Sequence, residues 1–241
     1  MLPRSAADRV GERLTTLRLF LHEQEDPEPF HTRLADSVAS SLPDLRDARV
    51  IDLGCGPGHY ARALRRRGAW VQPIDLDMVE FALPGGPPGG ELVANGMALP
   101  VRTASVDGLV CSNMIEHTPD PVQVLSEIER VVRPEGWIWL SWTNWFSPWG
   151  GHDISPFHYL GPRRGLRAYR RVTGKEPKNV PMESLFPLHI GPMLREIRRH
   201  PRLRVVRAEP RYYPSQRWIL QIPGVREIFT WNIALFMERC A

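Results

Sequence analysis

The residues best able to do chemistry in this chain of 241 residues fall in one ordered series. Asp52-Leu53-Gly54-Cys55-Gly56-Pro57-Gly58 follows the short β-rich run Arg49-Val50-Ile51 and precedes a stretch of helical character that begins at His59. Glycine at 54 and 56 permits backbone angles and a closeness of approach that a side chain would block. The loop can therefore lie directly against a ligand, at the carboxyl end of its strand, where open α/β sheets bind their ligands. Asp75 ends the next β-rich run, and a carboxylate there can accept hydrogen bonds from both hydroxyls of a ribose. Asn95-Gly96-Met97 follows a third run. Asn95 both donates and accepts, which suits an adenine edge, and Met97 can pack on the ring.

Two nucleotide chemistries compete for this loop. A dinucleotide fingerprint reads GxGxxG, but here Gly58 stands two places after Gly56 and His59 occupies the third. Asp52 also sits two places before Gly54. A pyrophosphate would meet that carboxylate with repulsion, whereas the amino group of a cationic sulfonium ligand would meet it favourably, directly or through water. The plainer reading, a tight turn with surface acids, leaves the register of Asp75 and Asn95 without a reason.

The elements that must hold these residues alternate. Apolar positions Val10, Leu14, Leu17, Phe20 and Leu21 predict a helix over 5–22. Pro29 can open the next helix, with Phe30, Leu34, Val38 and Leu42 on one face. Strands are expected at 49–53, 70–75, 91–94, 106–112, 137–142 and 203–208, with a final apolar strand over 229–237. Helices are expected at 59–67, 121–132 and 188–200. Pro84-Gly85-Gly86-Pro87-Pro88-Gly89-Gly90 must be a loop. This βαβ alternation predicts an α/β fold: a Rossmann-like, seven-stranded, mostly parallel sheet with helices on both faces. Residues 1–45 are expected to form an N-terminal helical lid, and 46–241 the ligand-binding domain. A cap insert without clear periodicity is expected at about 143–185.

Composition narrows the classes. The chain is 42% hydrophobic and 24% charged, the balance of a globular protein. Its formal charge of +4 comes from arginines scattered among acids, with lysine only at Lys175 and Lys178, which argues for a solvated surface over a nucleic-acid face. Cys55, Cys111 and Cys240 form neither a disulfide framework nor a zinc cluster, so reduced thiols in a cytoplasmic protein are expected. No run is long and apolar enough to span a membrane, and residues 1–20 lack a signal-peptide core. A homodimer is compatible with all of this.

The run Val50-Ile51-Asp52-Leu53-Gly54-Cys55-Gly56-Pro57-Gly58 resembles motif I of the class I S-adenosylmethionine-dependent methyltransferases. Ser112-Asn113-Met114-Ile115-Glu116-His117, followed by Asp120-Pro121, is similar to that family's fourth-strand end. Ile128-Glu129-Arg130-Val131-Val132-Arg133-Pro134-Glu135-Gly136 is similar to its helix and turn before strand five. The subgroup resembled is the type 11 methyltransferases, over about residues 48–142. Outside that span, Gly150-Gly151-His152-Asp153 and His158-Tyr159-Leu160-Gly161 resemble an insert found in an actinobacterial group. The resemblance implies S-adenosylmethionine as cofactor. Asp52, Gly54 and Gly56, with Cys55 between them, would line its methionine part, and Asp75 would hold the ribose. Leu76 would pack on the adenine, Asn95 and Gly96 would meet its edge beside Met97, and Asn113 would sit under the cofactor. Asn95 stands where an acid is common, and Glu135 where glycine is common.

Transfer of a methyl group from a sulfonium is an in-line displacement, so the protein mainly positions the acceptor and excludes water. A hydroxyl acceptor must still lose a proton, and a histidine is the natural base. His152 and His158, in the insert above the carboxyl end of the sheet, are the candidates, although both could instead bond loop backbone. His117, at the end of the fourth strand, reads as structural or cofactor-contacting. No metal site is expected, because His152 and His158 lack a third ligand nearby in sequence. Trp142, Trp145, Phe146, Trp149, Phe157 and Tyr159 suggest an apolar pocket wall. The expected activity is methylation of a small lipophilic or secondary-metabolite acceptor, with oxygen as the expected nucleophile. A non-catalytic cofactor-binding subunit and an RNA or protein methyltransferase are the rivals.

Overall fold

The computed structural model describes residues 27–77 and 90–241. The helix expected at 5–22 and most of the 84–90 loop lie outside them. Seven strands form one sheet in the order β3-β2-β1-β4-β5-β7-β6. They span β1 Arg49–Leu53, β2 Trp70–Asp75, β3 Leu92–Val93, β4 Val106–Ser112, β5 Val132–Thr143, β6 Leu203–Pro210 and β7 Asn232–Arg239. Strands β1 to β5 pair in parallel, while β7 runs antiparallel to both β5 and β6. The strand order reverses between β1 and β4, and that crevice is where an open α/β sheet takes its ligand.

Period-two alternation sorts the strand side chains onto two faces. Ile51, Leu53, Leu109, Cys111, Ile138, Leu140 and Trp142 point into one layer, together with Ile233, Leu235 and Met237 of β7. This layer is closed by α3 (Pro121–Val131) and α5 (Ile190–Arg199). Val50, Val110, Trp137, Trp139 and Ala234 face the opposite layer, under α1 (Pro27–Ser41) and α2 (His59–Arg66). Helix α3 begins as its sequence demands. Asp120 caps it by accepting from the Gln123 N–H at 3.0 Å, and proline occupies the first turn, where no partner is needed.

The region expected to lack structure over 143–185 is ordered. It has single turns at His152–Ile154 and Phe157–Leu160, and then the helix α4, Pro162–Thr173. Periodicity missed α4 because its sequence is rich in arginine, with only Gly165 buried. Its start and stop were nonetheless written in Pro162 and in Gly174, whose φ is +67°. Leu166 and Tyr169 anchor it on a small core of Trp145, Ile154 and Leu185. The final strand also starts later than expected. Phe229 ends a short helix α6 (Val225–Phe229), and β7 begins at Asn232.

Gly108 in β4 holds the most exacting contact of the sheet. A Cβ there would lie 2.1 Å from the Trp137 ring. Gly108→Ala should therefore lower the unfolding free energy by about 1–3 kcal/mol through overpacking, read from denaturant midpoints. An unchanged midpoint would show that the ring has room to move.

Candidate functional site

The glycine loop turns back on the sheet through shared carbonyls. Gly54 and Cys55 N–H both donate to the Ile74 carbonyl, at 2.8 and 3.2 Å, and Gly58 N–H donates to the Cys55 carbonyl at 2.8 Å. Gly54, Gly56 and Gly58 have φ of +72°, +46° and +78°, a region L side chains rarely adopt. A Cβ at Gly54 would lie 2.3 Å from Cγ of Met114, and one at Gly96 would lie 3.2 Å from its Cε. A Cβ at Gly56 would meet nothing within 4 Å. The first two glycines thus let the β1, β3 and β4 ends converge, and the third leaves open space on the ligand side.

Asp75 stands at the end of β2 as expected and is tied to the loop. Its Oδ2 accepts from Gly56 N–H at 2.8 Å, and its Oδ1 accepts from Leu76 N–H at 2.8 Å and Asp77 N–H at 3.2 Å. Leu76 beside it is 67% exposed, an uncovered apolar side chain of the kind that receives a flat ring. Asn95 closes its own turn by accepting from Met97 N–H at 2.9 Å. Met97 packs partly against the main core. The Cys55 side chain is buried, and its N–H and carbonyl are both spent within the loop, so it shapes the cradle.

Asp52 is fully buried behind the loop. Its Oδ2 accepts from Ala61 N–H at 2.8 Å, near the start of α2, while Oδ1 has no partner. Burial raises its pKa to about 7, with the Asp75 charge adding to the rise and the Ala61 hydrogen bond opposing it. A buried carboxylate oxygen without a partner, behind an open cradle, fits a cationic amino-acid ligand. Helix α1 abuts this end of α2, where the His31 and His59 rings stack 5.6 Å apart and Thr32 Oγ1 meets His59 Nδ1 at 3.2 Å.

Asn113, expected under the cofactor, has φ +52° and turns its Oδ1 into a polar network. It accepts from Arg211 Nη1 at 3.1 Å, Asn232 Nδ2 at 2.9 Å and Ser141 Oγ at 3.3 Å. Arg211 also donates to the Tyr60 hydroxyl and lies over the Trp139 ring at 5.1 Å. Sequence reading missed Tyr60, Ser141, Arg211 and Asn232, whose partners lie up to 151 positions apart.

The two histidines of the insert have different fates. His158 is fully buried. Its Nε2 meets the Ser147 carbonyl at 3.0 Å, and its ring lies against Trp145 and Tyr159 at 5.4 and 4.0 Å. Burial lowers its pKa. It pins the insert and has no exposed face for an acceptor, which corrects the expectation of a base there. His152 lies elsewhere. Its ring meets His117 edge-to-face at 5.1 Å, and donor atoms of Glu116, His117 and His152 all lie within 4.8 Å of one another. Glu116 is 1% exposed, its Oε1 accepts from Thr143 N–H at 2.9 Å, and its Oε2 has no partner. His152 Nδ1 is likewise without one. Burial lowers the His152 pKa against the pull of Glu116, and nearby His117 lowers it further. The groups beside His152 are thus not His158 but Glu116 and His117, from the end of β4. Glu116 stood in the run at the end of the fourth strand, but its meeting with His152 gave no sign in the sequence, because only the fold brings the insert to it. Asp153, adjacent to His152, instead accepts from Asn179 N–H at 2.8 Å.

The family profile described as a methyltransferase domain matches residues 51–140. A relative from Mycobacteroides abscessus, described as an uncharacterized methyltransferase, is 38% identical over 96% of this chain and 96% of its own. One from Mycobacterium sp. strain JLS, described in the same words, is 38% identical over 97% of this chain and 99% of its own. The solved structure of an S-adenosylmethionine-dependent methyltransferase from Mesorhizobium loti shares the fold. Its TM-score is 0.59 at 19% identity, over 84% of this chain and 96% of that one.

Ionising Asp52 opposes folding. Because its pKa is raised in the folded protein, its contribution to stability is full below about pH 4 and is lost as pH rises towards about 7. Asp52→Asn lacks this dependence. In thermal unfolding across that window, the wild-type Tm should fall relative to the variant's as pH rises. Parallel profiles would show that the carboxylate ionises without penalty.

Proposed function

The chain belongs to the S-adenosylmethionine-dependent methyltransferases, and on that premise we propose that it methylates the hydroxyl of a small lipophilic acceptor held beneath the 143–185 insert. The observation that carries the cofactor half of this reading is the open cradle at Gly56 backed by the unpartnered Oδ1 of buried Asp52. Asp52 would hold the methionine amino group, Asp75 the ribose, and Leu76 with the Asn95-Gly96-Met97 turn the adenine. The bound cofactor supplies an electrophilic methyl group and its own leaving group.

On the acceptor side the chain must orient an oxygen and assist the loss of its proton. Aromatic rings support a lipophilic occupant. Trp149 meets Trp231 at 4.9 Å, Trp231 meets Tyr213 at 5.7 Å, and Phe146 meets His189 at 4.8 Å. Phe146 and Trp149 are 40% and 41% exposed, so each presents part of an apolar ring that an occupant could cover. His152, with the groups around it, is assigned to the acceptor hydroxyl. The Asn113–Arg211–Tyr60 network stiffens the floor between the two halves.

The direct test is cofactor turnover, read as S-adenosylhomocysteine released, against a panel of hydroxylated lipophilic metabolites. A hit only among amines or nucleic acids would overturn the acceptor reading. Asp75→Ala should weaken S-adenosylhomocysteine binding by about 1–3 kcal/mol, through lost hydrogen bonds to a charged group. Calorimetry showing unchanged affinity would remove Asp75 from the site. With an accepted substrate in hand, His152→Ala should cut kcat by about 10²–10⁴ while leaving cofactor affinity intact. Wild-type turnover would remove it from the chemistry.

A further inference from the structure

We propose that Glu116, His117 and His152 form a binding site for a divalent transition-metal ion, Zn2+ being the best match, with a ligand position left open towards the acceptor. The inference deepens the proposed function and rests on it for the metal's purpose, though not for its binding.

The first argument is the donor set. One carboxylate and two imidazoles offer atoms within 4.8 Å of one another, and such a set suits Zn2+ and its neighbours better than Mg2+ or Ca2+. Donors on one tetrahedral Zn2+ stand about 3.4 Å apart for bonds near 2.1 Å, so rotamer adjustments on the order of 1 Å would close the trio. Three protein ligands also leave one position free, the arrangement of catalytic rather than structural zinc.

The second argument is independent and concerns what the donors lack. Glu116 is fully buried, yet its Oε2 has no hydrogen-bond partner, and no arginine or lysine pairs with it among the described residues. His152 Nδ1 is buried and unpartnered as well. A buried carboxylate oxygen and an imidazole nitrogen, both unsatisfied and side by side, cost free energy unless a cation joins them. His117 completes the picture. Its Nδ1 lies 2.7 Å from the Ser184 carbonyl. A carbonyl can only accept, so Nδ1 carries the proton and Nε2 keeps its lone pair. This is the outer-shell bond that fixes metal-binding imidazoles.

The insert is built to deliver His152 to this place. A Cβ at Gly150 would lie 1.9 Å from the Trp145 carbonyl oxygen, and one at Gly151 would lie 2.4 Å from Cβ of His158. His152 itself has φ +49°. Two glycines packed this tightly turn the chain so that the next residue meets the end of β4. An acceptor hydroxyl bound at the open position would lose its proton to water. Its oxygen would then form the new bond to the methyl carbon as the carbon–sulfur pair returns to sulfur. His152 serves here as a ligand, and lowering of the hydroxyl pKa by the cation takes the place of a base.

The test uses the full chain, stripped with a chelator and titrated with ZnCl2, with Co2+ absorption as a check on coordination. The wild type should bind one Zn2+ per chain. Glu116→Gln and His152→Ala should each weaken it by about 10–100-fold or more. His152 lies on a turn of the insert, so its variant tests the site even if the buried Glu116 variant does not fold. No saturable binding by the wild type, or equal affinity in His152→Ala, would overturn the site. S-adenosylhomocysteine, titrated into the same samples, should bind the wild type and the folded variants alike. Its failure to bind the wild type would strike the methyltransferase reading and not the metal.

Discussion

The structure depends on the convergence of three strand ends onto one methionine. Met114 lies where a side chain at Gly54 would be, and its tip touches the space where one at Gly96 would be. The β1 loop, the β3 turn and the β4 exit therefore stack closely, at a distance that only glycine allows at position 54 and that is tight at position 96. That stacking places Asp52 behind the loop and Asp75 in front of it, with the Asn95 turn alongside. It also fixes where the chain leaves β4, and hence where Asn113, Glu116 and His117 stand. Cofactor geometry and acceptor geometry are set by the same contact.

Most of the sheet was legible because each element carried its own signal. The runs at 49–53, 70–75 and 106–112 are β-rich, and glycine ends the first of them. Helices 59–66 and 121–131 show apolar spacing and a capping residue. The seven-stranded, mostly parallel architecture followed from the alternation. What escaped was structure with weak local signal. Helix α4 hides in an arginine-rich sequence with few apolar positions, and the short helix ending at Phe229 looked like the start of the last strand. In both cases tertiary packing decided, through Leu166 and Tyr169 for α4.

The site divided along the same line. The residues proposed for its cofactor half are local in sequence, a loop and the ends of β2 and β3, with Asn113 added from the end of β4. Its acceptor half is made by contacts between distant segments. Arg211 and Asn232 reach Asn113 from the far end of the chain, and Glu116 meets His152 only because the insert folds back. Residue type and place in the insert put both His152 and His158 forward as candidate bases. Their surroundings separate them, since one ring is sealed between Trp145 and Tyr159 and the other lies beside His117 and the unpartnered Oε2 of Glu116.

The antiparallel β7 has a consequence for how the molecule comes into being. It is the last element of the chain, yet it sits between β5 and β6, and it carries Asn232, which braces Asn113. The nucleotide cradle uses strands from the first half and can take shape while the ribosome is still at work. The brace on Asn113 must wait for β7 to enter between β5 and β6 and pair along both of its edges. Long-range pairing of this kind is slow to form. The residues of the glycine loop and Asp75 are thus translated, and their strands can pair, well before the strand that braces Asn113.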